Sequence, residues 1–197
     1  MSTPHKLNEN GEMEVFEKGL LDDLLDQECL KDRQIFLFGD IDTFLSKRII
    51  QQLLFLKKLK KELVTININS PGGSVSDAMA IVDTIEACKE EFDVSTVAIG
   101  EACSMAAIIL ALGTKDKRFA TKNATIMFHP CSYDLPEDYH SKQESYSQYT
   151  KIQWGNINKL VSKYLGKKEK EWVTKIEDGL WLTPSEALKL KVIDEIL

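Results

Sequence analysis

Four short apolar runs, IFLF at 35–38, VTINI at 64–68, VSTVAI at 94–99 and ATIMFH at 124–129, alternate with stretches of helical periodicity such as SDAMAIVDTIEAC. A strand whose both faces are apolar must be covered on both sides, and regular alternation with helices supplies the cover. The pattern therefore predicts an α/β protein of repeated βαβ units around a largely parallel sheet. The chain has 197 residues, 43% of them hydrophobic, which is enough for one substantial core, and no break in composition divides it. We expect an N-terminal segment at 1–29 and a single domain at 30–197. The first dozen residues are polar, and EVFEKGLLDDLLDQE after them predicts a short amphipathic helix through Val15, Phe16, Leu20 and Leu24.

Candidate chemistry begins at Ser104 in VAIGEACSMAAIILAL, where an apolar run ends and a helix is predicted to start at the serine itself. A hydroxyl there lies beside unpaired N–H groups and the positive end of the helix dipole, a suitable place for a nucleophile that generates an oxyanion. The same position also suits a plain N-cap. A nucleophilic serine needs a base, and the chain holds three histidines, His5, His129 and His140. His5 lies in the polar tail and His140 in the solvated EDYHSKQESYSQY, whereas His129 closes ATIMFH before Pro130, where a strand gives way to a loop. A hydrogen-bonded core histidine is the alternative role for His129. INSPGGSV at 68–75 joins a strand to a helix, and its adjacent glycines allow a tight turn with exposed N–H groups, or an ordinary turn and nothing more.

Taken with LKDRQIFLFGDID (30–42), QQLLFL (51–56), INSPGGSVSDAMAIVDTI (68–85), DVSTVAIGEACSMAA (93–107), KRFA (117–120), MFHP (127–130) and WLTPSEALKLKVIDEI (181–196), these motifs resemble the ClpP family, the proteolytic subunits of the ATP-dependent Clp protease. The resemblance runs from about residue 30 to 197. It implies the crotonase-like fold with a protruding helical handle, Ser104 as nucleophile, His129 as general base, and the N–H groups of Gly73 and Met105 as oxyanion hole. It also implies a serine endopeptidase acting on unfolded proteins or peptides, in heptameric rings stacked in pairs as a tetradecamer. ATP would be used only by a separate AAA+ unfoldase, since the chain lacks a GxxxxGK[ST] loop.

The chain departs from the family pattern in several places. The family's acid stands two residues before the aromatic of a D-x-aromatic segment; here Trp181 puts Gly179 there and Asp178 one position early, so Asp178 is the candidate acid, with Glu177 behind it. Asp194, in VIDEIL, is read as structural. Thr65 and Asn67 replace the outward aromatics of the unfoldase-docking face, leaving Phe55 as pocket or core residue. PCSYDLPEDYHSKQE replaces a glycine-rich strand and predicts a turn and helix start near Asp134 to Pro136, followed by a stripe of Tyr139, Tyr146, Tyr149, Ile152, Leu160, Val161 and Tyr164 that ends at Gly166. Thr183, Pro184 and Glu186 predict a capping box, and Lys191 occupies a glycine position at a helix exit.

The formal charge of −6, without a basic stripe, argues against nucleic acid, and MAAIILAL is too short to span a bilayer. With no signal-like N-terminus, cytoplasmic residence is expected. Cys29, Cys88, Cys103 and Cys131 lack metal or disulfide spacing, so neither metal nor cofactor is expected, and Cys103 reads as a packing residue. Two alternatives accompany the peptidase reading: a catalytically weak or inactive ring subunit, and an acyl-CoA enzyme of the crotonase fold.

Overall fold

The computed structural model describes residues 18–130 and 143–197. The described chain runs α1 (Lys18–Lys31), β1 (Gln34–Phe38), α2 (Thr43–Leu59), β2 (Val64–Ser70), α3 (Val75–Lys89), β3 (Val94–Cys103), α4 (Met105–Ala111), β4 (Arg118–Ala120), β5 (Thr125–Phe128), α5 (Gln143–Leu165), α6 (Glu169–Ile176), β6 (Leu180–Leu182), α7 (Pro184–Lys189) and β7 (Glu195–Ile196). A helix is present where one was predicted, as α1, described from Lys18 onward; Val15 and Phe16 lie outside the described residues.

The sheet has the order β1-β2-β3-β4-β7, and β5 joins the far end of β3 and carries β6 on its other edge. Every pairing is parallel except β5 with β6. β3 is the hub, with β2 along one edge and β4 then β5 along the other, which explains why its first five residues are all buried. The core face of the sheet presents Ile35, Leu37, Val64, Ile66, Ile68 and Ala98, against Ile49 and Leu53 of α2 and Ile81 and Ile85 of α3. At roughly 1.5–3 kcal/mol for each fully buried aliphatic side chain, this layer dominates the stability of the fold.

Helix starts follow their caps. Asp42 accepts from the Leu45 amide at 2.8 Å at the head of α2. Thr183, Pro184 and Glu186 form the expected capping box of α7, the Glu186 carboxylate accepting from the Thr183 amide at 2.9 Å. The Thr183 hydroxyl, ahead of its backbone amide, holds the Glu186 carboxyl below its ordinary range. α7 leaves through Lys191 at φ 63°, a left-handed conformation that costs a non-glycine residue about 1 kcal/mol. The lysine at this glycine position is accordingly strained.

The outer face of β1 and β2 carries Phe36 beside Asn67 in register. Asn67 is buried and donates to Gln34 Oε1 at 2.9 Å, and Thr65 is half-buried. The aromatic surface here comes instead from Phe36 and Phe38, packed edge to face, with Phe55 exposed on α2. Along α5, Tyr149 and Ile152 are exposed whereas Ile157, Val161 and Leu165 join the core, so the stripe divides into a free half and a packed half. The Pro136 turn, Tyr139, His140, Cys131 and His5 lie outside the described residues.

Asp194 sits under β4, receiving Arg118 Nε at 2.8 Å and Nη2 at 2.5 Å, and the Arg118 amide at 3.1 Å. Burial alone would raise its carboxyl pKa, but the Arg118 hydrogen bonds and charge outweigh it, and the net direction is downward. A carboxyl with a depressed folded pKa stabilises the fold above its unfolded value, about 3.9, and loses that contribution as pH falls through the folded value. Asp194→Asn should therefore cost about 3 kcal/mol at neutral pH by leaving Arg118 buried without a countercharge. The difference in melting temperature from wild type should begin to shrink below about pH 4, the unfolded carboxyl value, and close only once pH falls below the depressed folded value, where both chains carry a neutral side chain at this position. A pH-independent difference would assign Asp194 a packing role only.

Candidate active site

β3 and β5 run parallel with Cys103 beside Met127, so the residues just beyond their ends emerge side by side. Ser104 follows β3 directly and heads α4, at φ 55° and ψ −124°. A non-glycine residue in that region stores about 1–3 kcal/mol, and it persists here because the backbone on both sides is fixed. The Ser104 amide donates to Met127 O at 2.8 Å, and its carbonyl accepts from Ala107 and Ile108 in the first turn of α4. The side chain makes no capping bond to the helix. Its Oγ instead meets His129 Nε2 at 2.9 Å, which sets aside the plain N-cap role. The serine and the histidine singled out in the sequence are therefore brought together.

The SPGG turn lies against this elbow. Ser70 Oγ accepts from the Gly72 amide at 3.1 Å and bends the chain. A Cβ on Gly72 would fall 2.7 Å from Ser104 Cβ, 2.8 Å from Cys103 O and 3.1 Å from Met105 N, so only glycine permits this approach. Gly73 forms an isolated parallel bridge with Ile41, made by Ile41 N to Gly72 O at 2.7 Å and Ser74 N to Ile41 O at 2.8 Å. That bridge uses the flanking groups, so Gly73's own N–H is directed away from Ile41. Among the described residues neither the Gly73 nor the Met105 N–H has an acceptor. Reading the sequence missed Gly72 as the contact residue, although the doubled glycine was its signal.

The acid is a different matter. β5 and β6 pair antiparallel with Phe128 opposite Leu180, and one step further along that register Gly179 stands across from His129. Asp178 and Glu177 are exposed in the turn after α6, and among the described residues neither is hydrogen-bonded to His129. Cys103, beside the serine, is buried; burial first and then the Glu101 carboxylate push its thiol up to about 11, so it stays protonated and acts as packing. Among the described residues no group of three or more His, Cys, Asp or Glu is arranged to hold a metal. No helix among them is long and apolar enough to cross a membrane.

Comparison with known proteins gives the same direction as the geometry. The family model described as Clp protease matches residues 18–197. The ATP-dependent Clp protease proteolytic subunit of Carsonella ruddii (strain PV) is 34% identical over 174 residues, covering 86% of this chain and 86% of that relative. With its motifs in order on a mostly parallel sheet and a match of this extent, the chain belongs to the Clp protease family.

Proposed function

We propose that this chain is a serine endopeptidase subunit in which Ser104 is the nucleophile, His129 the general base, and the N–H groups of Gly73 and Met105 the oxyanion hole. The observation that carries it is the 2.9 Å contact between Ser104 Oγ and His129 Nε2 at the strained head of α4. With Nε2 as acceptor, His129 removes the hydroxyl proton as Oγ attacks a peptide carbonyl. The carbonyl oxygen becomes the oxyanion held by the two N–H groups, and the imidazolium then protonates the leaving amine. Water, deprotonated by the same imidazole, hydrolyses the acyl-enzyme and restores Ser104.

Substrates on this reading are unfolded polypeptides or peptides able to enter an oligomeric chamber of heptameric rings stacked in pairs. The relative's name includes "ATP-dependent", and a separate AAA+ unfoldase would supply that dependence. Its docking face would be altered here, with Phe36, Phe38 and Phe55 exposed where Thr65 and Asn67 offer no aromatic contact. The proposed setting is the cytoplasm, with no cofactor in the chemistry of the site. Asp178 would complete the site as its acid only by a shift of its turn toward His129; in the conformation described it is exposed and not hydrogen-bonded to that ring.

A second reading, a ring subunit of low intrinsic activity, is favoured by Gly179 at the place across from His129. One experiment separates them. The assembled protein is treated with a fluorophosphonate probe, the adduct is mapped, and hydrolysis of fluorogenic peptides is measured. Labelling at Ser104 with turnover is expected; labelling without turnover selects the second reading; no labelling at Ser104 overturns the nucleophile itself. An acyl-CoA enzyme would instead bind acyl-CoA in calorimetry, and the Ser104–His129 pair gives such chemistry no advantage.

A further inference from the structure

α4 is seven residues long, wholly apolar in sequence and wholly buried, so none of its own side chains can anchor it through polar contacts. Leu110 O receives the Gly113 amide at 3.3 Å, but Ala111 O and the carbonyl of the cap residue Leu112 would be orphaned in the core, where each unsatisfied acceptor is costly. Three donors from three different elements meet these carbonyls. Thr96 Oγ1 of β3 donates to Leu110 O at 2.8 Å, Arg118 Nη1 of β4 to Ala111 O at 3.3 Å, and Lys89 Nζ of α3 to Leu112 O at 2.8 Å. Two of the three are cations at the negative end of the helix, the arrangement its dipole favours.

Lys89 extends this clamp beyond α4. Its ammonium also donates to the Tyr164 hydroxyl of α5 at 2.8 Å and lies 3.5 Å from Glu86, and the same Tyr164 hydroxyl donates to Glu86 Oε1. One half-buried side chain thus ties the C-terminus of α4 to the packed half of α5. The opposite end of α4 is Met105, whose N–H faces the SPGG turn, and Ser104 in its strained conformation. A seven-residue helix is a stiff rod of about 10 Å, too short to absorb a displacement at one end by bending.

We propose that Lys89 and Tyr164 are positioning residues for the nucleophile, holding α4 so that Ser104 Oγ stays on His129 and the Met105 N–H stays aimed at the oxyanion. The proposal rests on the serine peptidase reading above. It assigns the two residues an effect on the chemical step rather than on substrate affinity, because neither lies at the serine end of α4.

The test uses the full chain in its assembled form, with Lys89→Met, Tyr164→Phe and Lys89→Arg. The readouts are the rate of Ser104 phosphonylation by a fluorophosphonate, kcat and KM for a fluorogenic peptide that wild type cleaves, melting temperature and oligomeric state. Lys89→Met and Tyr164→Phe should each slow phosphonylation and kcat about tenfold, since misplacement by about 1 Å can cost up to 10²-fold. KM should stay within about twofold, Lys89→Arg should keep most of the rate by retaining the donor, and the double variant should fall short of the product of the singles. Wild-type phosphonylation rates in folded, assembled Lys89→Met and Tyr164→Phe would overturn the proposal, as would a loss confined to KM or one that vanishes on cooling in step with recovered stability. Should Lys89→Met not fold, Tyr164→Phe, which deletes a single oxygen, decides alone. Wild type that fails to label at Ser104 sinks the peptidase reading and this one together; labelled wild type with equally labelled variants sinks this one only.

Discussion

Alanine at Gly73 should lower kcat for peptide hydrolysis by about 10²–10³-fold, the size of effect seen when one oxyanion donor is withdrawn. A Cβ at Gly73 would fall 2.3 Å from Ile41 O, 2.7 Å from Ile41 N and 2.9 Å from Ile41 C, all main-chain atoms that cannot rotate aside. The residue also holds φ +147°, where an L side chain is strained regardless of space. Relief requires the SPGG turn to move off Ile41, beyond the end of β1, which breaks the bridge there and swings the Gly73 N–H away from Met105. The Ser104–His129 contact depends instead on the β3–β5 pairing, so it should survive. Phosphonylation by a fluorophosphonate, in which Ser104 Oγ displaces fluoride from phosphorus, should slow in parallel, because its phosphoryl oxygen occupies the same hole. A folded, assembled Gly73→Ala variant with kcat within threefold of wild type would remove Gly73 from the oxyanion hole.

That dependence of the site on contacts between distant segments marks how far the sequence could be read. IFLF, VTINI, VSTVAI and ATIMFH became β1, β2, β3 and β5 because buried parallel strands leave a local signature of continuous apolar, β-branched residues. The α7 capping box was equally visible, since its partners lie three residues apart. Ser104 and His129 were legible for a related reason: each closes an apolar run at a strand end. Their 2.9 Å separation was not, because it depends on which two strands pair. The three-residue β4 and two-residue β7 are too short to show a period, and they find each other across more than 70 residues. The clamp on α4 was invisible for the same cause, as Lys89, Thr96, Arg118 and Tyr164 share no local pattern.

The register that puts Gly179 across from His129 leads to the opposite kind of variant, one that gains activity. Gly179→Asp should raise kcat/KM about 10²-fold. In Ser-His-Asp enzymes the buried acid is worth about 10⁴-fold, by fixing the histidine tautomer and stabilising the imidazolium, and an acid placed without the rest of its supporting shell should recover part of that. Space is available among the described residues, none of which comes within 4 Å of a Cβ built at Gly179. The backbone there has φ +82°, a conformation that Asp tolerates better than most residues, at a cost of about 1 kcal/mol. A carboxylate beside His129 favours the charged imidazolium, so its pKa must rise and the acid limb of the kcat/KM profile must move to higher pH. Gly179→Asn, with the same shape and no charge, should leave that limb where it is and give a much smaller gain. Asp178→Ala separates the remaining possibility: an exposed turn residue should cost less than about threefold, whereas a loss above tenfold in the parent chain would make Asp178 the acid after all. In that case the carboxylate introduced by Gly179→Asp would be redundant, and the gain predicted for it would not be seen.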